Sequence, residues 1–369
     1  MGIRQGPVGA LIGTVDKGFW SGRSVLITGH TGFKGAWLTS WLLSMGARVA
    51  GYSDRVPTEP SLFSLSGLGD HINDMRGDIR DLDALESVVR AEHPDVVLHL
   101  AAQSLVRASY QRPVETYAIN VLGTVNLLEA IRVVGGVPVT LVVTSDKCYE
   151  NHEQTRGYRE DDPKGGHDPY SSSKGCAELV AHAYQASFFS GSDAGRVATA
   201  RAGNVIGGGD WSGDRLVPDV MRAALSGRPV SVRYPNAVRP WQHVLDCLSG
   251  YLVLVQQLWD DPTLQGGWNF GPDSSDHRTV SDVVTRLSDL WPGEISVALD
   301  AGEQLHEAGT LALDCTKAHQ DLGWSPRWDF DESLSRVVEW FVTYSDQGDI
   351  AAVTNAQIEA YELSKGVAR

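Results

Sequence analysis

The chain has 369 residues, 42% of them hydrophobic, and a formal net charge of −15. That length admits two domains, or one large domain with a lobe, and no apolar run reads as long enough to cross a bilayer, so a soluble globular protein is expected. The acidity excludes a nucleic-acid-binding surface, which needs clustered Lys and Arg, but not a small phosphate-bearing ligand held by a helix N-terminus and a few arginines.

Residues 1–20 include "GPVGALIG", Gly-rich and too weakly apolar for a signal peptide, and read as an extension ahead of the fold. The first strong unit is "SVLITGHTGFKGAWLTSWLLSMGARVAGYSD". Val25 to Thr28 predict a short strand, and Trp37, Leu38, Trp41, Leu42 and Met45 recur as on one buried face of a helix. Gly46 stops that helix and "RVAGY" is the next strand, a βαβ unit with a right-handed crossover. The alternation continues through "DLDALESVVRAEHP" (helix), "DVVLHLAA" (strand), "NVLGTVNLLEAIRVVG" (helix) and "VPVTLVVTS" (strand). A helix follows from near Tyr170 to about Phe188, then the strand "RVATARAGNVIG". This order predicts an α/β protein with a Rossmann-like doubly wound parallel sheet, its ligand lying outside the carboxyl ends of the strands.

After "GGGDW" the rhythm changes to that of a smaller mixed α/β C-terminal lobe. The expected division is 21–209 for a dinucleotide-binding domain, with a returning strand and helix at about 238–262. Residues 210–237 and 263–350 would form the substrate lobe, and 351–369 a C-terminal tail. Four widely spaced cysteines (Cys148, Cys176, Cys247, Cys315) without a C-x-x-C pair favour reduced thiols in the cytoplasm over disulfides or zinc, and no metal site is expected.

Gly29, Gly32 and Gly35 form G-x-x-G-x-x-G between the first strand and its helix, with Phe33 inside the loop. Glycine is required where the turn is tight and the backbone approaches a pyrophosphate facing a helix N-terminus. Asp54 ends the second strand, where an acid holds the adenosine ribose and disfavours a 2′-phosphate, so NAD is favoured over NADP despite the neighbouring Arg55. Asp78 and Ile79 end the probable third strand within reach of an adenine; a turn or helix-cap acid has the same signature as Asp78.

"DPYSSSKGCAELV" sets Tyr170 and Lys174 four residues apart, on one helix face. A tyrosine with its ordinary pKa near ~10 is a poor base at neutral pH, and a nearby lysine plus a cationic nicotinamide favour the phenolate. Upstream, "VVTSDKCYE" reads as an apolar strand opening into Ser145, Asp146 and Lys147. Asp146 and Lys147 fit either a salt bridge or an acid and a base; adjacent residues on a strand point to opposite faces, which favours the second.

The runs "ITGHTGFKGAWL", "LAAQSLVR", "TSDKCY", "GYRE", "DPYSSSKGCAELV", "RAGNVIGGGDW", "RPWQHVLD", "WNFGP" and "LGWSPRW" closely resemble, from about residue 16 onward, the CDP-glucose 4,6-dehydratases of the extended short-chain dehydrogenase/reductase superfamily. The resemblance implies a lyase that holds NAD tightly and regenerates it in each turnover. It implies that Tyr170 takes the proton of the sugar 4-hydroxyl, Lys174 holds the nicotinamide ribose and Ser145 bonds the oxygen at carbon 4. Water is then eliminated across carbons 5 and 6, giving a 4-keto-6-deoxy sugar. In dTDP-glucose dehydratases the tripeptide is Thr-Asp-Glu. Here it is Ser145-Asp146-Lys147, a lysine in which the chain resembles CDP-glucose and inverting UDP-N-acetylglucosamine dehydratases, so Asp146 is the expected acid. Either Lys147 is the base, or Asp146 makes both transfers while Lys147 steadies the enolate. By the same resemblance Ala101, Ala102, Gln103 and Asn120 lie along the cofactor and Asn204 at the nucleotide-sugar phosphate; Arg239, whose guanidinium matches phosphate oxygens, and also Arg215 and Arg233 are candidates for the diphosphate, and His306 is a candidate near the substrate lobe. A nucleotide-sugar 4-epimerase and a dehydratase of another nucleotide remain alternatives. The superfamily habit implies a homodimer or dimer of dimers through the helices after Asn120 and around Tyr170.

Overall fold

The computed structural model describes residues 13–191, 194–273, 276–299 and 311–364. Strands β1 (Ser24–Thr28), β2 (Arg48–Ser53), β3 (Asn73–Arg76), β4 (Val96–His99), β5 (Val139–Val143) and β6 (Arg196–Ala202) alternate with helices in the first half. Those helices are α1 (Lys17–Trp20), α2 (Phe33–Ser44), α3 (Leu62–Leu65), α4 (Leu82–Glu92), α5 (Val106–Gln111), α6 (Pro113–Tyr117), α7 (Gly123–Val134) and α8 (Pro169–Phe188). The second half adds β7 (Asn204–Ile206), α9 (Leu216–Ser226), β8 (Val230–Val232), β9 (Val238–His243), α10 (Val244–Asp260), β10 (Gly266–Phe270) and β11 (His277–Thr279). It closes with α11 (Val280–Leu290), β12 (Val297–Leu299), α12 (Thr316–Asp321), α13 (Phe330–Ser345) and α14 (Ile350–Leu363).

Seven parallel strands form the main sheet in the order β10-β6-β5-β4-β1-β2-β3. The order reverses between β1 and β4, the position where an open α/β sheet leaves a crevice for its ligand. A mixed three-stranded sheet (β11-β9-β7) and a parallel pair (β12-β8) build the smaller part. Apolar side chains fill both faces of the main sheet: Trp37, Trp41, Leu245 and Val253 on one side, Leu85, Leu127, Leu128 and Ile131 on the other.

Five details differ from the sequence expectation. The run "RVATARAGNVIG" is two strands, broken at Gly203. Of the expected returning pair at 238–262, only α10 packs on the main sheet; β9 joins the small sheet, and the strand that returns is β10, at 266–270. A six-residue strand and a helix read alike from either sheet, because neighbours, not periodicity, choose the partner. The expected tail 351–369 holds α14, which packs on α2: Trp41 Nε1 donates to Glu362 Oε1 at 2.7 Å. That cover explains why α2 is buried all round rather than on one face. The end of the expected extension is also folded, with Trp20 of α1 fully buried and its indole donating to Gln256 Oε1 at 2.7 Å. Contrary to the expectation that no apolar run is long enough to cross a bilayer, the helical run Pro113–Val134 qualifies by length and composition; in the fold it packs against α4 and α8.

Candidate active site

The glycine loop is shaped by contact distance. Gly29 has φ +78°, and a Cβ there would lie 2.6 Å from the Ala101 nitrogen; a Cβ at Gly35 would lie 2.2 Å from the Gly29 oxygen. Only glycine lets β1, the loop and the post-β4 segment meet this closely. Gly32 is the N-cap of α2 and supplies no side-chain cap, so the positive end of the helix faces the crevice with its first amides open to an anion. Phe33 begins α2 and its ring lies beside Gly207. Asp54 follows β2 with its side chain exposed, loosely paired with Arg55 at 3.7 Å. These residues fit a dinucleotide.

The other expected cofactor positions divide. Ala101 donates its N–H to Thr28 Oγ1 at 3.3 Å, next to the loop. Asn120 is buried in a π-helical turn; it accepts from the Gln103 N–H at 2.8 Å and donates to the Gln103 carbonyl at 3.0 Å and to Ser173 Oγ at 2.9 Å. It thereby ties the strand end carrying Ala101, Ala102 and Gln103 to the helix carrying Tyr170. Asp78 is engaged by Arg80, which holds its carboxyl below the usual range, and Ile79 is buried against Gly123. Both have local partners of their own.

A cavity of about 290 Å³ opens beside the loop, and Ser145, Asp146, Lys147, Tyr170, Asn204, Arg215, Arg233 and Arg239 all line it. β5 ends at Val143, so Asp146–Cys148 is a 3-10 turn rather than strand, capped by Ser145, whose Oγ accepts from the Lys147 N–H at 3.2 Å. The turn brings Asp146 and Lys147 to the same cavity, where β-alternation would have separated them. Among the described residues they form no direct ion pair; Asp146 Oδ1 instead accepts from Ser145 Oγ at 2.9 Å. Burial raises the Asp146 carboxyl, so it holds its proton more readily than an exposed acid. Tyr170 stands at the start of α8, capped by Asp168; burial pushes its phenol up to about 12, against a hydrogen bond with Ser145 and the Arg215 charge. One turn on, Lys174 donates to the Val143 carbonyl at 3.2 Å, and burial together with the Lys34 charge brings its ammonium down to about 8.

The arginines come from separate elements: Arg215 at the N-cap of α9, Arg233 after β8 and Arg239 in β9. Arg215 pairs with Asp210 at 3.1 Å and Arg233 with Asp214 at 3.6 Å. Several cavity residues carried no signal when read one at a time. Lys34, inside the glycine loop, lines the cavity and burial lowers its ammonium; Arg107, Asp210 and Asp214 line it too. A charge in an otherwise apolar helix start was the available clue to Lys34. His306 lies outside the described residues. Among those described, no group of three His, Cys, Asp or Glu side chains gathers to hold a metal ion.

Residues 26–337 match the family model described as GDP-mannose 4,6 dehydratase. The chain belongs to the GDP-mannose 4,6 dehydratase family. Within that family's wider circle, it is 48% identical to a CDP-glucose 4,6-dehydratase of Salmonella typhimurium strain LT2 over 352 residues, 94% of this chain and 98% of that protein. It is 28% identical to a dTDP-glucose 4,6-dehydratase of Xanthomonas campestris pv. campestris strain ATCC 33913, covering 86% and 93%. Among solved structures, UDP-glucose 4-epimerase of Thermus thermophilus in complex with NAD superposes with a TM-score of 0.74 at 25% identity, covering 86% of this chain and 98% of that one. The matched residues 26–337 include the glycine loop and every residue that lines the cavity.

Proposed function

We propose that the chain dehydrates CDP-glucose to CDP-4-keto-6-deoxyglucose with bound NAD, which is regenerated within each turnover. The observation that carries the reading is one cavity lined by two sets of groups: Tyr170 with Ser145, and Asp146 with Lys147. An epimerase or simple dehydrogenase needs the first set alone. The nucleotide follows from the 48% identity to a CDP-glucose 4,6-dehydratase over nearly the whole chain.

Bound NAD supplies the reversible hydride chemistry that oxidises carbon 4 and later reduces carbon 6. Gly29, Gly32, Phe33 and Gly35 would hold its pyrophosphate side, Asp54 the adenosine ribose, and Asp78 with Ile79 the adenine surroundings. Ala101, Ala102, Gln103 and Asn120 would border the nicotinamide ribose. Lys174 would hold that ribose, Ser145 would hydrogen-bond the oxygen at carbon 4, and Tyr170 would take the 4-hydroxyl proton. The cofactor's positive charge and the sugar hydroxyl must bring the Tyr170 phenol down from the value set by burial alone. The ketone at carbon 4 then acidifies the proton on carbon 5; Lys147, as the neutral amine, would remove it while the protonated Asp146 carboxyl gives its proton to the leaving 6-hydroxyl. Asn204, Arg215, Arg233 and Arg239 anchor the diphosphate and nucleotide, guanidinium forks matching phosphate oxygens.

We further propose pairing of subunits through α5–α8, where Tyr110, Val114, Leu122, Leu179 and Phe188 leave large apolar side chains exposed. The four free cysteines, three of them buried, support a reducing cytoplasmic setting.

The test is incubation with CDP-glucose in deuterated water followed by mass spectrometry. Loss of one water with deuterium incorporated at carbon 5 is expected. An intact hexose epimer would overturn the dehydratase reading, and turnover of dTDP-, UDP- or GDP-glucose in place of CDP-glucose would overturn the nucleotide.

A further inference from the structure

We propose that the buried Glu178–Arg201 ion pair is a positioning device: it keeps the turn bearing Ser145, Asp146 and Lys147 in register with the helix bearing Tyr170 and Lys174. Neither residue lines the cavity that holds Ser145, Asp146, Lys147 and Tyr170, and the proposal rests on the dehydratase reading above.

Glu178 lies on α8, on the face that carries Tyr170 and Lys174 at four-residue intervals. Arg201 lies on β6, and the two side chains are 5% and 3% exposed. The guanidinium grips the carboxylate with two prongs, Nε to Oε1 at 2.9 Å and Nη2 to Oε2 at 2.6 Å. The same carboxylate accepts from Thr144 Oγ1 and, at 2.8 Å, from Thr199 Oγ1. The remaining guanidinium nitrogen, Nη1, donates to the Tyr149 hydroxyl at 2.6 Å and the Glu160 carbonyl at 3.1 Å. Tyr149 in turn donates to Asn269 Oδ1 on β10 at 2.7 Å.

Thr144 is the residue before Ser145, and Tyr149 the residue after Cys148. The ion pair therefore seizes the reactive turn at both ends and fastens it to α8, β6 and β10. Packing crowds the brace on one side, where a Cβ at Gly267 would lie 2.1 Å from Arg201 Nη2 and the Tyr149 ring stacks on Tyr158 at 5.2 Å; a cavity of about 180 Å³ borders Glu178, Thr199 and Arg201. An apolar pair of the same volume would fill the space but hold neither end, because only directional hydrogen bonds fix a turn's position. The step most exposed to a slipped turn is elimination, which needs Asp146 and Lys147 placed against a sugar held by other elements.

Replacing Glu178 or Arg201 strands a buried charge and threatens folding, so the test uses the two ends of the brace. Thr144→Val and Tyr149→Phe each keep shape and remove one hydroxyl; Thr144→Ser keeps the hydroxyl. Assayed with CDP-glucose, Thr144→Val and Tyr149→Phe are expected to lose roughly tenfold to a hundredfold in kcat with KM within about twofold, as misplacement by a fraction of an ångström does. Thr144→Ser is expected to retain most of kcat, and the double variant to lose less than the product of the single losses. A kcat within about twofold of the parent in both single variants would overturn the proposal, as would Thr144→Ser failing as badly as Thr144→Val. A parent chain inert toward CDP-glucose refutes the substrate reading instead, and the variants are then compared on whichever nucleotide sugar it dehydrates.

Discussion

Asp146 and Lys147 are neighbours in sequence yet unequal in surroundings. Asp146 is buried with its carboxyl raised, in contact with the Ser145 hydroxyl, whereas Lys147 is half-buried at the cavity wall. In the proposed mechanism a carboxyl that gives up its proton less readily suits the departing hydroxyl, and Lys147 as a neutral amine would take the carbon 5 proton. Lys147→Ala is expected to keep oxidation at carbon 4 and to lose elimination by about a hundredfold or more, the usual worth of a positioned acid or base. The check is mass spectrometry in deuterated water, where a keto hexose that retains its 6-hydroxyl forms in an amount limited to the bound NAD. Normal turnover by this variant would return both proton transfers to Asp146.

Elements place these residues through contacts that leave no room for substitution. The β1–α2 loop works because Gly29 is in the left-handed region and abuts the Ala101 backbone. Gly29→Ala combines an unfavourable backbone, about 1–2 kcal/mol, with a clash against main chain that cannot swing aside. NAD binding is expected to weaken by at least about tenfold in a fluorescence titration while the circular-dichroism spectrum stays as in the parent. On the other side of α2, α14 closes the outer layer through the Trp41–Glu362 bond and the edge-on contact of Trp41 with Tyr361. Trp41→Ala leaves a cavity between them and should cost about 3–5 kcal/mol of unfolding free energy, measured by urea titration.

At the scale of the whole molecule, one buried acid couples the two ends of the second half. Asp246, in the first turn of α10, accepts from the Arg327 N–H and from the Tyr361 hydroxyl of α14, each at 2.7 Å. Burial pushes its carboxyl up to about 7. A carboxyl whose pKa is raised on folding binds a proton in the native state that the unfolded chain has lost. Stability from this group is therefore greatest below about pH 4 and declines as pH rises to about 7, by up to about 4 kcal/mol. Relative to the parent, Asp246→Asn should gain melting temperature steadily from about pH 4 to about pH 7; a pH-independent difference would contradict this. The exposed apolar side chains of α5–α8 carry the second prediction at this scale. Leu179→Glu is expected to shift sedimentation toward the monomer, and an unchanged coefficient would place the subunit contact elsewhere.

The alternation of strand and helix, the glycine loop and the Tyr170–Lys174 spacing were legible because each is a local pattern, set by backbone geometry within a few residues of chain. The motif strings also carried the family resemblance, since they are contiguous. What only the tertiary structure decided is long-range: β10 in the main sheet, α14 sealing α2, and arginines from three elements gathered on one cavity. The 3-10 turn at Asp146–Cys148 belongs there too, because polar residues after an apolar run fit the end of a strand as well as a turn. Glu178 is the sharpest instance. Its spacing from Lys174 was readable, but its partners lie just past β5 (Thr144) and on β6 (Thr199, Arg201), and only folding supplies the low-dielectric interior in which such a pair fixes a position.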